Sequence, residues 1–170
     1  MISKQVLLKT QVLNFFEKKE NLAILLECIN SSTPVSLRLI DWFVTNYCKY
    51  NSNKIASDLG IDIYNSYKGQ LKSYNKIFFD PFCRNTRKKY KKDLLVQLET
   101  VINNEKKMLN TSLGQLNFFR WVININIIPY LNKNLIFLKQ QSKQKTKIKT
   151  TVIKEKELVE EKIFYYSVSF

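Results

Sequence analysis

Apolar residues in the first half of the chain recur at the spacing of an α-helix. Within residues 11–29 they fall at i, i+3, i+4 and i+7 and make one apolar face, which consists of Leu22, Leu25, Leu26 and Ile29. The segment after Thr33 and Pro34 repeats a helical spacing with Leu37, Ile40, Val44 and Tyr47. Because Thr can cap the free amides of a helix and Pro fits its first position, this pair predicts where the second helix begins.

Residues 64–79 combine two stripes along one predicted helix. An aromatic and apolar stripe contains Tyr64, Tyr67, Leu71 and Tyr74, and beside it a lysine recurs every fourth residue, at Lys68, Lys72 and Lys76. One interpretation packs the tyrosines in the core and lets the lysines extend into solvent. The other lays the lysines along a phosphate backbone. Asp80 and Pro81 should end the helix, because the residue before a proline is displaced from the α conformation.

The second half of the chain has a less regular pattern. Residues 93–109 fit either a helix or a strand, whereas residues 110–112, Asn-Thr-Ser, form a capping sequence before a helical segment that begins LGQLNFFRW. The last residues, KIFYYSVSF, are aromatic and β-branched, which is typical of a strand. A lone strand needs a partner, and the candidates are residues 1–8, residues 94–102 or a second copy of the chain.

These elements predict a mainly α fold, a single compact helical domain with a short C-terminal β-strand element. The expected domains are a helical globular domain at 1–138, a Lys-rich linker or arm at 139–156 and a C-terminal strand segment at 157–170. The composition agrees with a folded body, since 45% of the residues are hydrophobic and only 3 are Gly and 3 are Pro. Apolar burial can therefore offset the entropy of ordering the chain.

The net charge of +14 comes from two segments of the chain. Residues 68–92 hold nine basic residues and one acid, residues 139–156 hold seven lysines and one acid, and the rest is balanced at twelve of each sign. The codon bias of an AT-rich genome would raise the lysine content, but it would scatter lysines along the chain. Clustered charge instead favours a polyanion as partner, because neutralising neighbouring phosphates releases counterions.

The segment KIFFDPFCRNTRKKYKK, residues 76–92, joins an apolar anchor to a basic arm. We expect FFDPFC to bury the turn and to hold the arm, RNTRKKYKK, at a fixed place on the body. The arm and the lysines of the predicted helix are the candidate nucleic-acid-binding residues, which are Lys68, Lys72, Lys76, Arg84, Arg87, Lys88, Lys89, Lys91 and Lys92. Because the turn at Asp80 reverses the chain, they are expected to form one continuous basic surface.

Patterns of catalytic and metal-binding residues are missing from the sequence. The chain has no His, which removes the usual general base and the commonest zinc ligand, and it has no Gly-rich phosphate loop. Cys28, Cys48 and Cys83 are widely spaced in apolar surroundings, which predicts core thiols rather than disulfides or a zinc site. We therefore expect no enzyme activity, no metal and no cofactor.

The sequence also predicts an intracellular protein without a membrane partner. No apolar run reaches the ~20 residues that a membrane-spanning helix needs. The N-terminal residues lack the long apolar segment and the small-residue cleavage site of a signal peptide.

Three ordered blocks give the chain a family resemblance: SLRLIDWFVTNY at 36–47, YNSYKGQLKSYNKIFFDPFCR at 64–84 and TSLGQLNFFRW at 111–121. The chain resembles a family of proteins encoded by nucleocytoplasmic large DNA viruses, the giant viruses of protists, over roughly residues 20–135. The resemblance implies a viral setting and an AT-rich genome, and it assigns no reaction and no site residues.

Taken together, these features predict a non-enzymatic, sequence-nonspecific nucleic-acid-binding protein of a large DNA virus, associated with its genome or its virion. DNA is favoured over RNA as the partner. The alternative is a structural or interaction protein of the virion whose basic surface binds an acidic protein. The expected location is the virion or the viral factory in the host cytoplasm, and a homo-oligomer formed through the C-terminal strand is left open.

Overall fold

The structure is a computed structural model that describes residues 3–30, 33–84, 94–102 and 105–144. The chain divides into two units, Met1–Lys133 and Asn134–Phe170. The first unit is mainly α-helical, as the sequence predicts. Its elements are α1 (Lys4–Phe16), α2 (Lys19–Ile29), α3 (Leu37–Trp42), a π-helical turn (Phe43–Tyr47), α4 (Cys48–Tyr50), α5 (Ser52–Leu59), α6 (Ile63–Phe78), β1 (Leu95–Ile102), β2 (Glu105–Ser112), α7 (Leu113–Asn124) and α8 (Ile127–Lys133).

The N-terminal region forms two helices rather than the one helix predicted over residues 11–29. The break between α1 and α2 has a local cause, because the Asn21 side chain donates a hydrogen bond to the carbonyl oxygen of Phe15 at 2.8 Å. That bond satisfies a carbonyl that the end of a helix leaves free. Since α1 begins at Lys4, the suggestion that residues 1–8 form a partner strand is wrong.

The second predicted helix forms, but it begins later than predicted. Ser36 rather than Thr33 caps α3, and the Ser36 hydroxyl accepts a hydrogen bond from the amide of Leu39 at 3.3 Å. Residues 37–50 are helical throughout, because the π-helical turn joins α3 directly to α4. The apolar stripe of this run is buried as expected at Ile40, Val44 and Tyr47.

A polar capping side chain marks the start of α6, and a proline turn follows its end. Asp62 caps the first turn by accepting a hydrogen bond from the amide of Asn65 at 3.0 Å. The helix ends at Phe78, just before the Asp-Pro pair that predicts its end. Near this end Asn75 has a φ of 50° and a ψ of −179°, so the helix is kinked there.

The segment that fits either a helix or a strand in sequence forms an antiparallel β-hairpin. Leu95 pairs with Ser112 at the open end, and Ile102 pairs with Glu105 near the turn. Burial along β1 alternates with the two-residue period of a strand. Val96 and Thr100 are buried, Leu98 between them is half-buried, and Gln97 and Glu99 are exposed. The predicted C-terminal strand lies outside the described residues.

The helix α7 runs through the centre of the core of the first unit, and nine of its twelve residues are buried. The rings of its Phe118 and Trp121 lie 5.4 and 5.7 Å from the ring of Phe79 and 5.9 Å from each other, measured between centroids. Such aromatic pairs add ~0.5–1.5 kcal/mol each beyond the burial of their area. Two further aromatic residues, Trp42 and Phe82, are only half-buried.

The cysteines are free thiols in or near the core. Cys28 and Cys48 are buried, and Cys83 is half-buried. Burial is the main cause that raises the pKa of Cys28 to about 11 and the pKa of Cys48 to about 12. At neutral pH both thiols are therefore protonated, and a protonated thiol is a poor nucleophile.

In the second unit the structure describes a helix over residues 135–144, which we call α9. The segment predicted as a Lys-rich linker, 139–156, therefore starts inside a helix. The remainder of that segment and the predicted strand segment at 157–170 lie outside the described residues.

Candidate functional site

The turn that follows α6 rests directly on the first turn of α7. The amide of Asp80 donates a hydrogen bond to the carbonyl oxygen of Gly114 at 3.1 Å. A Cβ atom at position 114 would lie 2.8 Å from the carbonyl oxygen of Ile77 and 3.2 Å from the amide nitrogen of Asp80. Both neighbours are backbone atoms that cannot swing away, so glycine is required for this close approach.

Buried amide side chains of α7 fix the same turn. The Gln115 side chain donates to the carbonyl oxygen of Pro81 at 2.6 Å and accepts a hydrogen bond from the Thr111 hydroxyl at 2.7 Å. The Asn117 side chain donates to the carbonyl oxygen of Phe78 at 2.9 Å. These bonds occupy backbone carbonyls that the end of α6 and the proline turn would otherwise leave unpaired.

Beside this turn lies a cleft of about 430 Å³ in which two distant segments of sequence meet. We call it the Asp41–Arg84 cleft. It is lined by Asp41 and Thr45 from residues 37–50, by Tyr67, Leu71 and Lys76 from α6, and by Phe79, Asp80, Pro81 and Arg84 from the turn. Together with α7, which holds the turn, it brings the three blocks that carry the family resemblance to one place.

Charge in the cleft changes sign with depth. Asp80 is buried with 7% of its surface exposed, and Asp41 is half-buried, whereas Lys76 and Arg84 are exposed. The cleft thus has an acidic interior and a basic rim. Burial raises the pKa of Asp41 above its usual value, the charge of Arg84 opposes that rise, and the charge of Asp80 adds to it.

Tyr67 connects the cleft to the aromatic core. Its ring lies 5.9 Å from the ring of Phe79 and 6.0 Å from the ring of Trp121, measured between centroids. Burial is the largest cause that raises the pKa of Tyr67, and the charge of Asp41 raises it further. The hydroxyl is therefore neutral at physiological pH and can donate a hydrogen bond.

Three departures from regular backbone conformation border the cleft. Thr45 lies within the π-helical turn, a feature that is frequent at functional sites. Asn75 and Cys83 have φ values of 50° and 56°, and they immediately precede Lys76 and Arg84. Such conformations cost a residue other than glycine ~1–3 kcal/mol each and persist where the surrounding structure fixes them. The α7 side chains hold Phe78 and Pro81, which lie between these two residues in the chain.

The candidate residues that the sequence suggests fall into three groups. Lys68 and Lys72 are exposed on one face of α6, and the Lys68 ammonium lies 5.9 Å from the centroid of the Tyr64 ring. We call these two residues the lysine stripe. Lys76 and Arg84 lie at the cleft instead, and the Arg84 guanidinium is 4.8 Å from the centroid of the Phe82 ring. The others lie outside the described residues: Arg87, Lys88, Lys89, Lys91 and Lys92.

The sequence reasoning missed the acidic interior of the cleft. Asp41 stands inside the apolar run SLRLIDWFV. A carboxylate in such a run is unusual and could have indicated a functional residue. Asp80 was interpreted as part of a helix stop alone. Neither interpretation brings the two residues together, because their neighbourhood depends on the docking of the turn on α7.

Comparison with known proteins agrees with the viral setting that the resemblance implies. A family described as "Family of unknown function (DUF7197)" matches residues 2–163. The chain belongs to this family. A curated relative, "Uncharacterized protein L507" of Acanthamoeba polyphaga mimivirus, is 36% identical over 128 residues, which are 72% of this chain and 47% of the relative. The chain thus spans about half the length of that relative. No solved structure matches the chain.

The described part of this DUF7197 member contains neither a membrane-spanning helix nor a cluster of metal-ligating side chains. Across residues 3–30, 33–84, 94–102 and 105–144, no helix combines the length and the apolar character needed to cross a membrane. Within the same ranges, no three of the His, Cys, Asp and Glu side chains form a group suited to hold a metal ion.

Proposed function

We propose that the protein binds nucleic acid through the phosphate backbone, without base specificity and without catalysing a reaction, and that DNA is its partner. The observation that carries this proposal is the set of exposed basic side chains along α6 and its turn, Lys68, Lys72, Lys76 and Arg84. They lead directly into a segment whose sequence adds five more cations. Phosphate contacts of this kind supply affinity without carrying sequence information.

The arrangement of α6 supports the proposal in a second way. Tyr67 and Leu71 face the cleft, so the lysine stripe, one residue further along the helix, stands beside the cleft rather than in the core. The tyrosines of this helix, Tyr64, Tyr67 and Tyr74, are half-buried while the lysines stay exposed. The two interpretations of this helix in the sequence are compatible.

A salt titration of duplex DNA binding tests the proposal. If six to nine basic residues each contact one phosphate, log K should fall with log salt at a slope of about −5 to −8, from ~0.9 per contact. Replacing both lysines of the stripe, Lys68→Ala with Lys72→Ala, should flatten the slope by about 2 and weaken binding equally for different sequences. Replacing Arg87, Lys88 and Lys89 together should flatten it by about 3.

The matched control removes the same charge from a different part of the chain. Lys9 and Lys18 are exposed at α1 and at its C-terminal end, so the double variant Lys9→Ala with Lys18→Ala should leave the slope unchanged. Equal loss in both double variants would mean that net charge alone matters, and it would contradict a defined binding surface.

The same titration with an acidic polypeptide, poly-glutamate, separates the alternative function. Tighter binding of poly-glutamate than of DNA at equal salt would replace this proposal with that of a virion interaction protein. Within a large DNA virus, a protein that binds DNA in this way would act on the genome in the virion or in the cytoplasmic viral factory.

A further inference from the structure

The charge pattern of the Asp41–Arg84 cleft does not match a simple anion site. Two carboxylates, Asp41 and Asp80, face two cations, Lys76 and Arg84, so the formal charge of the lining is zero. A bare phosphate would be attracted at the rim and repelled by the carboxylates behind it. The pattern instead suits a ligand that carries an anionic group at one end and hydrogen-bond donors at the other.

The Asp41 carboxylate is available to such donors. Among the described residues, no side chain or amide donates a hydrogen bond to it, although its backbone carbonyl accepts one from the Thr45 hydroxyl at 2.7 Å. Asp80 differs, because its carboxylate already accepts a hydrogen bond from the amide of Phe82 at 3.2 Å. A half-buried carboxylate without a donor gains most from a ligand that supplies one.

The size and the wall of the cleft narrow the class of ligand. A volume of about 430 Å³ lies within the ~300–1,000 Å³ typical of small-molecule sites. The half-buried ring of Tyr67 lines the wall, and an aromatic side chain of this kind can stack on a nucleobase for ~1–3 kcal/mol per base. A ring system, hydrogen-bond donors and a phosphate occur together in a nucleotide.

We propose that the Asp41–Arg84 cleft binds one nucleoside monophosphate unit, with its phosphate at Lys76 and Arg84 and its base amino or ribose hydroxyl donors at Asp41. The inference rests on the proposed function in that Lys76 and Arg84 serve in both. It goes further, because it assigns roles to Asp41 and Tyr67 and predicts recognition of the nucleoside as well as of the phosphate.

Calorimetric titration with adenosine 5′-monophosphate tests the inference in the full chain. We expect saturable binding at one site, and we expect adenosine and inorganic phosphate each to bind at least tenfold more weakly, because each engages one end of the cleft. Equal binding of inorganic phosphate and the nucleotide would overturn the inference, since the site would then recognise an anion alone. Absence of saturable nucleotide binding would overturn it as well.

The variant Asp41→Asn gives a test whose sign is decisive. On a surface that acts by charge alone, removal of a negative group strengthens the binding of every phosphate ligand. If Asp41 accepts hydrogen bonds from the nucleoside, the variant should weaken the nucleotide about tenfold while duplex DNA binding stays equal or rises. Tighter nucleotide binding by the variant would overturn the inference. A thermal unfolding midpoint at or above that of the parent shows that the fold is kept.

Two further variants complete the comparison and separate this inference from the proposed function. Arg84→Ala, at an exposed position, should weaken both the nucleotide and duplex DNA, whereas Lys72→Ala should weaken duplex DNA alone. If duplex DNA binds with the expected salt slope and the nucleotide does not bind, this inference fails by itself. If the nucleotide binds and duplex DNA does not, the proposed function fails while the cleft assignment stands.

Oligonucleotide competition identifies the source of the nucleotide unit. Displacement of the mononucleotide by a single strand with a 5′-phosphate, but not by one with a 5′-hydroxyl, would assign the cleft to strand ends. Displacement by neither would assign it to free nucleotides. Equal displacement by both would assign the cleft to a nucleotide within a strand, since Lys76 and Arg84 are also expected to contact backbone phosphates.

Discussion

The lysine stripe and the Asp41–Arg84 cleft belong to the same helix and turn, yet they present basic groups in different surroundings. The stripe consists of two exposed lysines on a regular part of α6. Beyond the kink at Asn75, Lys76 and Arg84 instead stand at the rim of the cleft, in front of its acidic interior. On the two proposals, the stripe would bind any polyanion, whereas the cleft would also demand hydrogen-bond donors from its ligand.

The comparison shows that the same residue type takes different roles according to what lies behind it. Lysines on an open helix face act through charge that salt screens. Cations that face one buried and one half-buried carboxylate act in a setting where screening is weaker and geometry matters more. The contacts made by α7 create this second setting, and the stripe does not depend on them.

Replacing Gly114 by Ala should have the largest effect, and it should damage the cleft more than the lysine stripe. The added Cβ would meet the carbonyl oxygen of Ile77 at 2.8 Å, so we expect a loss of about 2–3 kcal/mol in the free energy of unfolding. Nucleotide binding at the cleft should fall further than duplex DNA binding at the stripe. Chemical denaturation and the two titrations check this.

The matched control for this change is Gly69→Ala on α6. No atom lies within 4 Å of a Cβ at that position, and Ala is a better helix former by ~1 kcal/mol. The control should therefore be as stable as the parent or more stable. If both alanine variants behave alike, the close approach of the turn to α7 does not constrain the fold.

Replacing Gln115 by Leu should give the next largest effect. The change removes the donor to the carbonyl oxygen of Pro81 and the acceptor for the Thr111 hydroxyl, and a buried polar group left unpaired costs ~1–3 kcal/mol. Gln97→Leu on β1 is the control, because that side chain is exposed where it bonds to Asn110 and should change stability by less than ~0.5 kcal/mol. A Gln115 variant as stable as its control would contradict the role of α7 in holding the turn.

Replacing Asp41 by Asn should raise stability at neutral pH. The folded state raises the pKa of this carboxyl above its ordinary value of 3.8, so ionising the carboxyl disfavours folding. The parent loses no stability to this ionisation below that ordinary value, and the loss grows as the pH rises from there through the raised pKa. The free energy of unfolding, measured from pH 3 to pH 7, should therefore become higher in the variant than in the parent as the pH rises. A variant less stable at pH 7 would mean that attraction to Arg84 outweighs burial.

Replacing Lys72 by Ala should have the smallest effect on stability. An exposed lysine on a helix surface rarely contributes more than ~0.5 kcal/mol. The variant should nevertheless flatten the salt slope of duplex DNA binding by ~0.9, the share of one phosphate contact. A loss of stability above ~1 kcal/mol would assign Lys72 to the structure rather than to binding.

The sequence predicts the helices and their stops better than it predicts the cleft. The end of α6 before Asp80 and the cap at Ser112 follow from local chemistry, so both were predictable. The hairpin was ambiguous because a short apolar run fits both periods. The shift of the α3 cap from Thr33 to Ser36 depends on local contacts that a motif does not specify.

The cleft was not predictable because its lining is far apart in the chain. Asp41 and Arg84 are brought together by the turn that Gly114 and Gln115 hold, and no local pattern encodes that contact. The basic rim was visible as clustered charge, and Lys76 and Arg84 were among the candidates. The carboxylates behind them were not recognised, because in sequence each had a simpler local interpretation.

The packing of Trp121 behind the cleft provides an optical readout. Its indole N–H donates to the Ser66 hydroxyl at 3.0 Å, and its ring contacts Tyr67 and Phe79, which line the cleft. The chain has 2 tryptophans, so replacing Trp42 by Phe leaves a single emitter at this place. A ligand stacked on Tyr67 should change the tryptophan emission spectrum, whereas DNA on the lysine stripe should leave it unchanged. Occupancy of the two regions can then be followed separately in unlabelled protein.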